Sequence, residues 1–353
     1  MPTYQQLTAR RFVILAAATA AAGCANTHLP TPQAKAVAAP AAPAQAAVTA
    51  APAAANVSPV VLVDALNGVF GKQMVRSSHA KGFCMAGEFE AAPTAAAITR
   101  AKMFQTGQRT PLIGRFSVGG GNPKAPDNGK SVRGIAVRAG EGGERLEWIF
   151  VSAPHFFAQT PAQFAEFFKV RAPDPATGKM NPEAIAAFSK ANPATTKQAA
   201  YVGGQPVPAS FATVPYWSTN AFIATNHAGK SQALRWRFEP IAGRVGLTDE
   251  EAKAKGADFL RAELTERLAK GAVAFNVIAQ LAQPQDQLTD PTEPWPADRA
   301  EVQMGRLVID RITDQSCDRE TFIPTILPNG IAASADPVLA ARAASYAVSL
   351  SRR

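Results

Sequence analysis

Three short apolar runs in close succession constrain this chain most: Thr110–Val118 (TPLIGRFSV), Val132–Arg138 (VRGIAVR) and Glu144–Val151 (ERLEWIFV). Each has strand length, and Gly, Pro and Asn turn residues separate the first two. Short strands met one after another with turn signals favour an antiparallel sheet or barrel. Further along, SFATVPYWSTNAFIATN and ALRWRFEP read as two strands joined by the turn His227-Ala-Gly-Lys230, a hairpin. Residues 272–281 read as another strand, while helical spacing marks 60–75, 160–170, 257–271 and 336–350. Asp336-Pro337 supplies the cap and first turn of the last helix. The fold class expected is α+β, with strands in the middle and helices at the ends.

The core has to come from the later part of the chain. Arg10-Arg11 precede an apolar run, Phe12 to Ala22, that ends in Gly23-Cys24. That is the layout of a bacterial secretory signal, and the run is too short to span a bilayer permanently. The twin arginines suggest the route that exports folded proteins. Ala21-Ala22-Gly23-Cys24 resembles a lipoprotein box with Cys24 as lipid acceptor, although Ala21 stands where that box usually has Leu. Residues 25–59 are almost wholly Ala, Pro, Thr, Gln and Val, a composition that cannot pack a core and reads as a tether. The expected layout is a signal segment over 1–24, a tether over 25–59 and one folded domain over 60–353. The expected location is the periplasm, free or anchored through Cys24.

Composition narrows the chemistry. The net charge is +9, without a dense basic run or interleaved aromatics, so nothing singles out nucleic acid as a partner. Among the three cysteines no CxxC or Cys/His spacing occurs, which argues against zinc and iron–sulfur centres. A Cys84–Cys317 bridge and two separate buried thiols both remain open.

Of the four histidines, His28 lies in the tether, His227 in the hairpin turn, and His155 follows a buried-looking strand, where packing is its simpler role. His79 has different company: Arg76 three residues before, small residues on both sides, Lys81-Gly82 after. On the last helix, Arg342 and Tyr346 are four residues apart and so share one face, one turn from each other.

These residues carry a resemblance. Arg76-Ser-Ser-His79-Ala-Lys81-Gly82, followed by Gly87-Glu-Phe-Glu90, resembles the distal-histidine motif of the haem catalases. Arg109-Thr-Pro111 to Arg115-Phe-Ser117-Val118 is similar to that family's second haem-lining strand, and Val132 to Val137 to its next. Pro154-His-Phe-Phe157 resembles the segment after the distal asparagine, and Arg342 with Tyr346 the proximal pair. The matches keep family order from Arg76 to Tyr346. Two departures point to the short catalase-related peroxidases. The chain stops soon after Tyr346, without the helical domain and threading arm of full catalases. Val151, followed by Ser152, stands where catalases have asparagine.

The resemblance implies an antiparallel β-barrel core with surrounding helices and a bound haem b. Tyr346 would be its axial ligand, steadied by Arg342, with Arg76 and Arg115 on the propionates. His79 would be the acid–base group, oriented by Ser117. The implied activity is peroxidase: reduction of hydrogen peroxide or organic peroxides by a small organic donor, with weak or no catalase reaction because position 151 is not Asn. A monomer or homodimer is expected. Two alternatives stand beside it, a lyase or isomerase of lipid hydroperoxides and a haem-binding protein without turnover.

Overall fold

Alternation of inward apolar and outward side chains curls the central strands into a closed ring. The computed structural model describes residues 57–72, 74–313 and 320–353. The expected signal segment with Cys24, most of the tether, and Cys317 therefore lie outside the described residues. β1 (Gly82–Ala91), β2 (Arg109–Val118), β3 (Arg133–Ala139) and β4 (Leu146–Val151) form an antiparallel meander. After the short β5 (Val207–Pro208), β4 pairs with the two-residue β6 (Tyr216–Trp217). β7 (Phe222–Thr225) turns into β8 (Ser231–Pro240), which pairs with β6 on one side. β9 (Gly246–Leu247) pairs with β5, and β10 (Val273–Leu281) with β8. β11 (Glu301–Ile312) joins β10 to β1, so eight antiparallel strands close the barrel. β12 (Ile331–Ala333) extends the sheet beyond β7.

The barrel is filled by aromatics. Phe89, Phe104, Trp148 and Trp236 are all fully buried and meet at ring separations of 5.2 to 6.2 Å. Such pairs each contribute about 0.5–1.5 kcal/mol beyond the area they bury. Phe116 stacks on Phe211 with centroids 5.0 Å apart and lies tilted against Tyr216 at 6.3 Å.

Helices cover the outside: α1 (Pro59–Phe70), α2 (Pro161–Lys169), α3 (Pro182–Ala191), α4 (Lys197–Gly203), α5 (Asp249–Ala254), α6 (Phe259–Leu268) and α7 (Pro337–Ser351). α1 packs on both α2 and α7. The Asp336 cap is as expected: its Oδ1 accepts from the backbone N–H groups of Val338 and Leu339. Among the described residues no helix is long and apolar enough to cross a membrane.

The expected elements shift in three places. α1 ends at Phe70 rather than near residue 75, because Gly71 takes a positive φ of 77° and its N–H returns to the Asn67 carbonyl. The first hairpin arm is not one strand. Ser218 accepts from the Trp236 N–H and donates to the Asn220 carbonyl, which bends the chain between β6 and β7. The helix expected over 257–271 is shorter, as α6, and α5 precedes it, opened by a Thr248–Glu251 capping box. Of the two open cysteine arrangements, separate thiols are excluded: Cys84 is disulfide-bonded, and the other two cysteines lie outside the described residues.

Candidate active site

One row of paired residues crosses the outer face of the barrel. Gly82 pairs with Ser117, Ser117 with Gly134, Gly134 with Val151 and Val151 with Trp217. A strand displays alternate residues on each face, so this register brings Ser117, Gly134, Val151 and Trp217, from four of the five strands, to one patch. The patch is the floor of a cavity with about 1500 Å³ of empty volume including its open mouth. Leu62 and Leu66 of α1, Phe164 and Phe168 of α2, and Val338, Arg342 and Tyr346 of α7 wall it in. The α7 contributions recur at three and four residues, as one face of a helix must.

Every site residue expected from the sequence lines this cavity: Arg76, His79, Arg115, Ser117, Arg342 and Tyr346. His79 sits in the loop before β1, and its Nδ1 lies 2.9 Å from the Ser117 Oγ. Its backbone has φ 53°, the only positive φ off glycine among the described residues. Such a conformation costs of order 1–3 kcal/mol and needs its surroundings to hold it. Arg115 does that: its two terminal nitrogens donate to the carbonyls of His79 and Ala80 at 2.8 and 2.9 Å. Gly82 leaves room for that guanidinium, since a Cβ there would stand 2.6 Å from the Arg115 Cζ.

Gly134 makes the same kind of space for the ring. A Cβ on it would lie 2.5 Å from the Ser117 Oγ and 2.6 Å from the His79 Nδ1. Burial above all, and then the positive charges of Arg115, Arg342 and Arg76, lower the His79 pKa from 6.5 to about 4. The imidazole is therefore neutral at physiological pH. With Ser117 at Nδ1, Nε2 is the nitrogen left for chemistry.

On α7 the Arg342 Nε donates to the Tyr346 hydroxyl oxygen at 2.8 Å. The network continues inward. Arg342 Nη1 donates to Asn220 Oδ1 at 3.0 Å, and Asn220 Nδ2 donates to Asp336 Oδ2 at 2.7 Å. Asp336 is fully buried, and burial raises its pKa. One carboxylate thus caps α7 and, through Asn220, aligns the guanidinium that holds Tyr346. Sequence reading missed Asn220, because nothing in its local sequence marks it. It also missed Gly134 and Arg353, the last of which lines the cavity just beyond α7.

The charge pattern of the wall is one-sided: among the described residues Arg76, Arg115, Arg342 and Arg353 line the cavity, and no Asp or Glu side chain does. The rest is mostly apolar. Arg76 Nη2 donates to the Glu320 carbonyl at 2.6 Å. His155 and His227 do not line the cavity. His155 Nδ1 lies 3.2 Å from the Thr292 carbonyl oxygen, and His227 is exposed beside Gln105. Among the described residues no group of three or more His, Cys, Asp and Glu could hold a metal ion.

Comparison with known proteins places this geometry. The family model of catalase matches residues 39–353. A catalase-related peroxidase of Synechococcus elongatus is 36% identical over 306 residues, covering 85% of this chain and 90% of that protein. A second catalase-related peroxidase, from Mycolicibacterium paratuberculosis, is 31% identical, covering 84% of this chain and 95% of that protein. Among solved structures, catalase A from Saccharomyces cerevisiae superposes with a TM-score of 0.72 at 25% identity, over 83% of this chain and 64% of its own. The chain therefore spans nearly the whole of the two peroxidases and less than two thirds of that catalase.

Proposed function

The chain belongs to the catalase family and acts on peroxide as an oxidoreductase, and we propose that it is a haem b peroxidase that oxidises small organic donors with little catalase turnover. One observation carries the reading: His79 and Tyr346, far apart in sequence, line one apolar cavity whose charged side chains, among the described residues, are all arginines. That lining fits the group. Apolar side chains suit a flat macrocycle, guanidinium forks suit its two carboxylates, and the Tyr346 oxygen suits its iron. When bound, haem supplies the iron that receives the peroxide and the electrons that cleave it.

The protein's own residues do the proton work. Neutral His79 accepts the proton of the inner peroxide oxygen at Nε2 and returns it to the outer oxygen, which leaves as water. Its Nδ1–H, donated to Ser117 Oγ, fixes the tautomer that leaves Nε2 free. The Arg342 N–H stabilises negative charge on the Tyr346 oxygen, and Asn220 and Asp336 keep that donor aligned. Over a full turnover, peroxide takes two electrons and two protons and leaves as two waters, while two donor molecules each lose one electron and one proton. Val151 gives the site floor an apolar side chain with nothing to position a second peroxide, so an organic donor completes the cycle. The apolar wall also suits organic hydroperoxides. Cumene hydroperoxide turnover with no donor present would favour the lyase or isomerase reading instead.

An absorption spectrum before and after one equivalent of peroxide, followed by a reducing dye, tests the whole. A high-spin ferric spectrum that changes with peroxide and recovers as dye is oxidised supports it. Absence of a Soret band after haem is supplied overturns it. The proposal extends to export: twin-arginine targeting, a periplasmic location, a tether held at Cys24, and a monomer or homodimer. The mass of the mature N-terminus and a sedimentation measurement test those parts.

A further inference from the structure

A second, smaller cavity, open to solvent, holds about 650 Å³ of empty volume including its mouth. Tyr201 lines it, and so do Lys130 and Arg244, its only charged lining residues among those described. Trp217, on the floor of the main cavity, meets the Tyr201 ring edge to face, with centroids 6.1 Å apart. The two oxidisable side chains thus join the cavities without a gap. The end of β4 does the same in the backbone, since Val151 lines the first cavity and Ser152, the residue after the strand, the second.

Two details give the pair a direction. Arg244 lies 5.7 Å over the Trp217 ring, held there by both carboxylate oxygens of Glu239 at 2.8 Å. A cation suits a neutral indole face but repels positive charge on it. An electron vacancy on Trp217 is therefore passed on to Tyr201, which can shed its proton and become neutral. Among the described residues nothing hydrogen-bonds the Tyr201 hydroxyl, so it is available to whatever occupies the second cavity.

We propose that the second cavity is the donor site, taking a phenol that bears a carboxylate, and that the donor's electron reaches the main cavity through Tyr201 and Trp217. The inference rests on the peroxidase reading. The phenol loses one electron and one proton and leaves as a phenoxyl radical. Its electron refills Tyr201, which regains a proton, and the electron Tyr201 had given up has gone by way of Trp217 to the site where peroxide is reduced to water. Lys130, 3.7 Å from Asp249, and Arg244, paired with Glu239, draw the carboxylate, and among the described residues no acidic side chain lines the cavity itself.

The cofactor-loaded protein is treated with peroxide and 2-methyl-2-nitrosopropane, without donor, and its peptides are weighed. A spin-trap adduct on the Tyr201 peptide is expected, absent in Tyr201→Phe and at least tenfold weaker in Trp217→Phe. Peroxide-driven oxidation of 4-hydroxybenzoate should fall at least tenfold in Tyr201→Phe. Equilibrium dialysis of 4-hydroxybenzoate without peroxide reads the site independently, and Lys130→Gln should weaken binding several-fold. Each variant's peroxide-induced spectral change is recorded, so that a lost first step is told apart from a lost donor step. A protein with no such spectral change overturns both readings. A normal change with Tyr201 unlabelled and 4-hydroxybenzoate oxidised at the wild-type rate overturns this one alone.

Discussion

Arg342 donates its Nε–H to the Tyr346 hydroxyl oxygen at 2.8 Å from one turn earlier on the same helix. The pair is local, but its alignment is not: Asn220, from the bend between β6 and β7, holds the other side of the guanidinium at 3.0 Å. Replacing Asn220 by Leu keeps the volume and removes the acceptor. Haem affinity should fall ~10–100-fold, the usual effect of losing an outer partner of a ligand. Tyr346→Phe should cost more and abolish stable haem binding. Titration of each variant with haem, read at the Soret band, checks both; wild-type affinity in Tyr346→Phe would remove that residue as ligand.

The acid limb of activity should belong to His79. Its pKa is lowered to about 4, so the neutral form that accepts the peroxide proton persists at all higher pH. The rate of the peroxide-induced spectral change should be flat from about pH 5 to neutrality and fall below about pH 4. A midpoint near 6.5 would contradict the burial seen here.

The same shift enters stability. Between about 4 and 6.5 the unfolded chain binds a proton at this histidine and the folded chain does not, so stability rises with pH across that window. Outside it this residue contributes no slope. Urea midpoints at several pH values should show the slope in the wild type and lose part of it in His79→Gln.

Gly134→Ala puts a methyl group 2.5 to 2.6 Å from the Ser117 Oγ and the His79 Nδ1. The strand backbone is paired on both sides and cannot retreat, so the ring must move. Peroxide activation should drop ~10²–10⁴-fold, as for loss of a general acid–base group, while haem still binds. Ser117→Ala removes only the orienting bond and should cost less, with about 1 kcal/mol of stability. Stopped-flow spectra compare the two directly.

Val151→Asn introduces a hydrogen-bonding group on the cavity floor, two strands from Ser117 in the same row. Oxygen evolution from hydrogen peroxide should rise relative to donor oxidation, measured with an oxygen electrode on the same preparation. An unchanged ratio would detach position 151 from the choice of reductant.

Asp336→Ala removes an N-cap and leaves the Asn220 amide without its acceptor. The cap alone contributes about 0.5–2 kcal/mol and the buried unpaired amide a further ~1–3 kcal/mol. Denaturant unfolding should show a loss of that order, with weakened haem binding beside it. Asp336→Ser, which keeps a capping oxygen, should recover part of the stability.

Much of this protein was legible in order along the chain. β2, β3, β4 and β10 follow runs whose length and turn signals identify them, and α7 follows a helical period with its cap. β1 was not legible, because Gly82–Ala91 is rich in small residues and carries no clear alternation. The broken hairpin arm was not legible either, since strand propensity continues through Ser218–Asn220 while tertiary hydrogen bonds bend it.

The sequence by itself determined which chemical groups exist and their local spacing: one histidine among small residues, one Arg–Tyr pair a helical turn apart, and the strands between. It could not say that these ends meet, because their encounter depends on how a sheet closes. Barrel register set Gly134 beneath the His79 ring, brought Asn220 to Arg342, and put Trp217 against Tyr201 between two cavities. Those relations join residues from separate strands, loops and helices, and strand pairing leaves no trace in the neighbours along the chain. Only the tertiary structure could decide them.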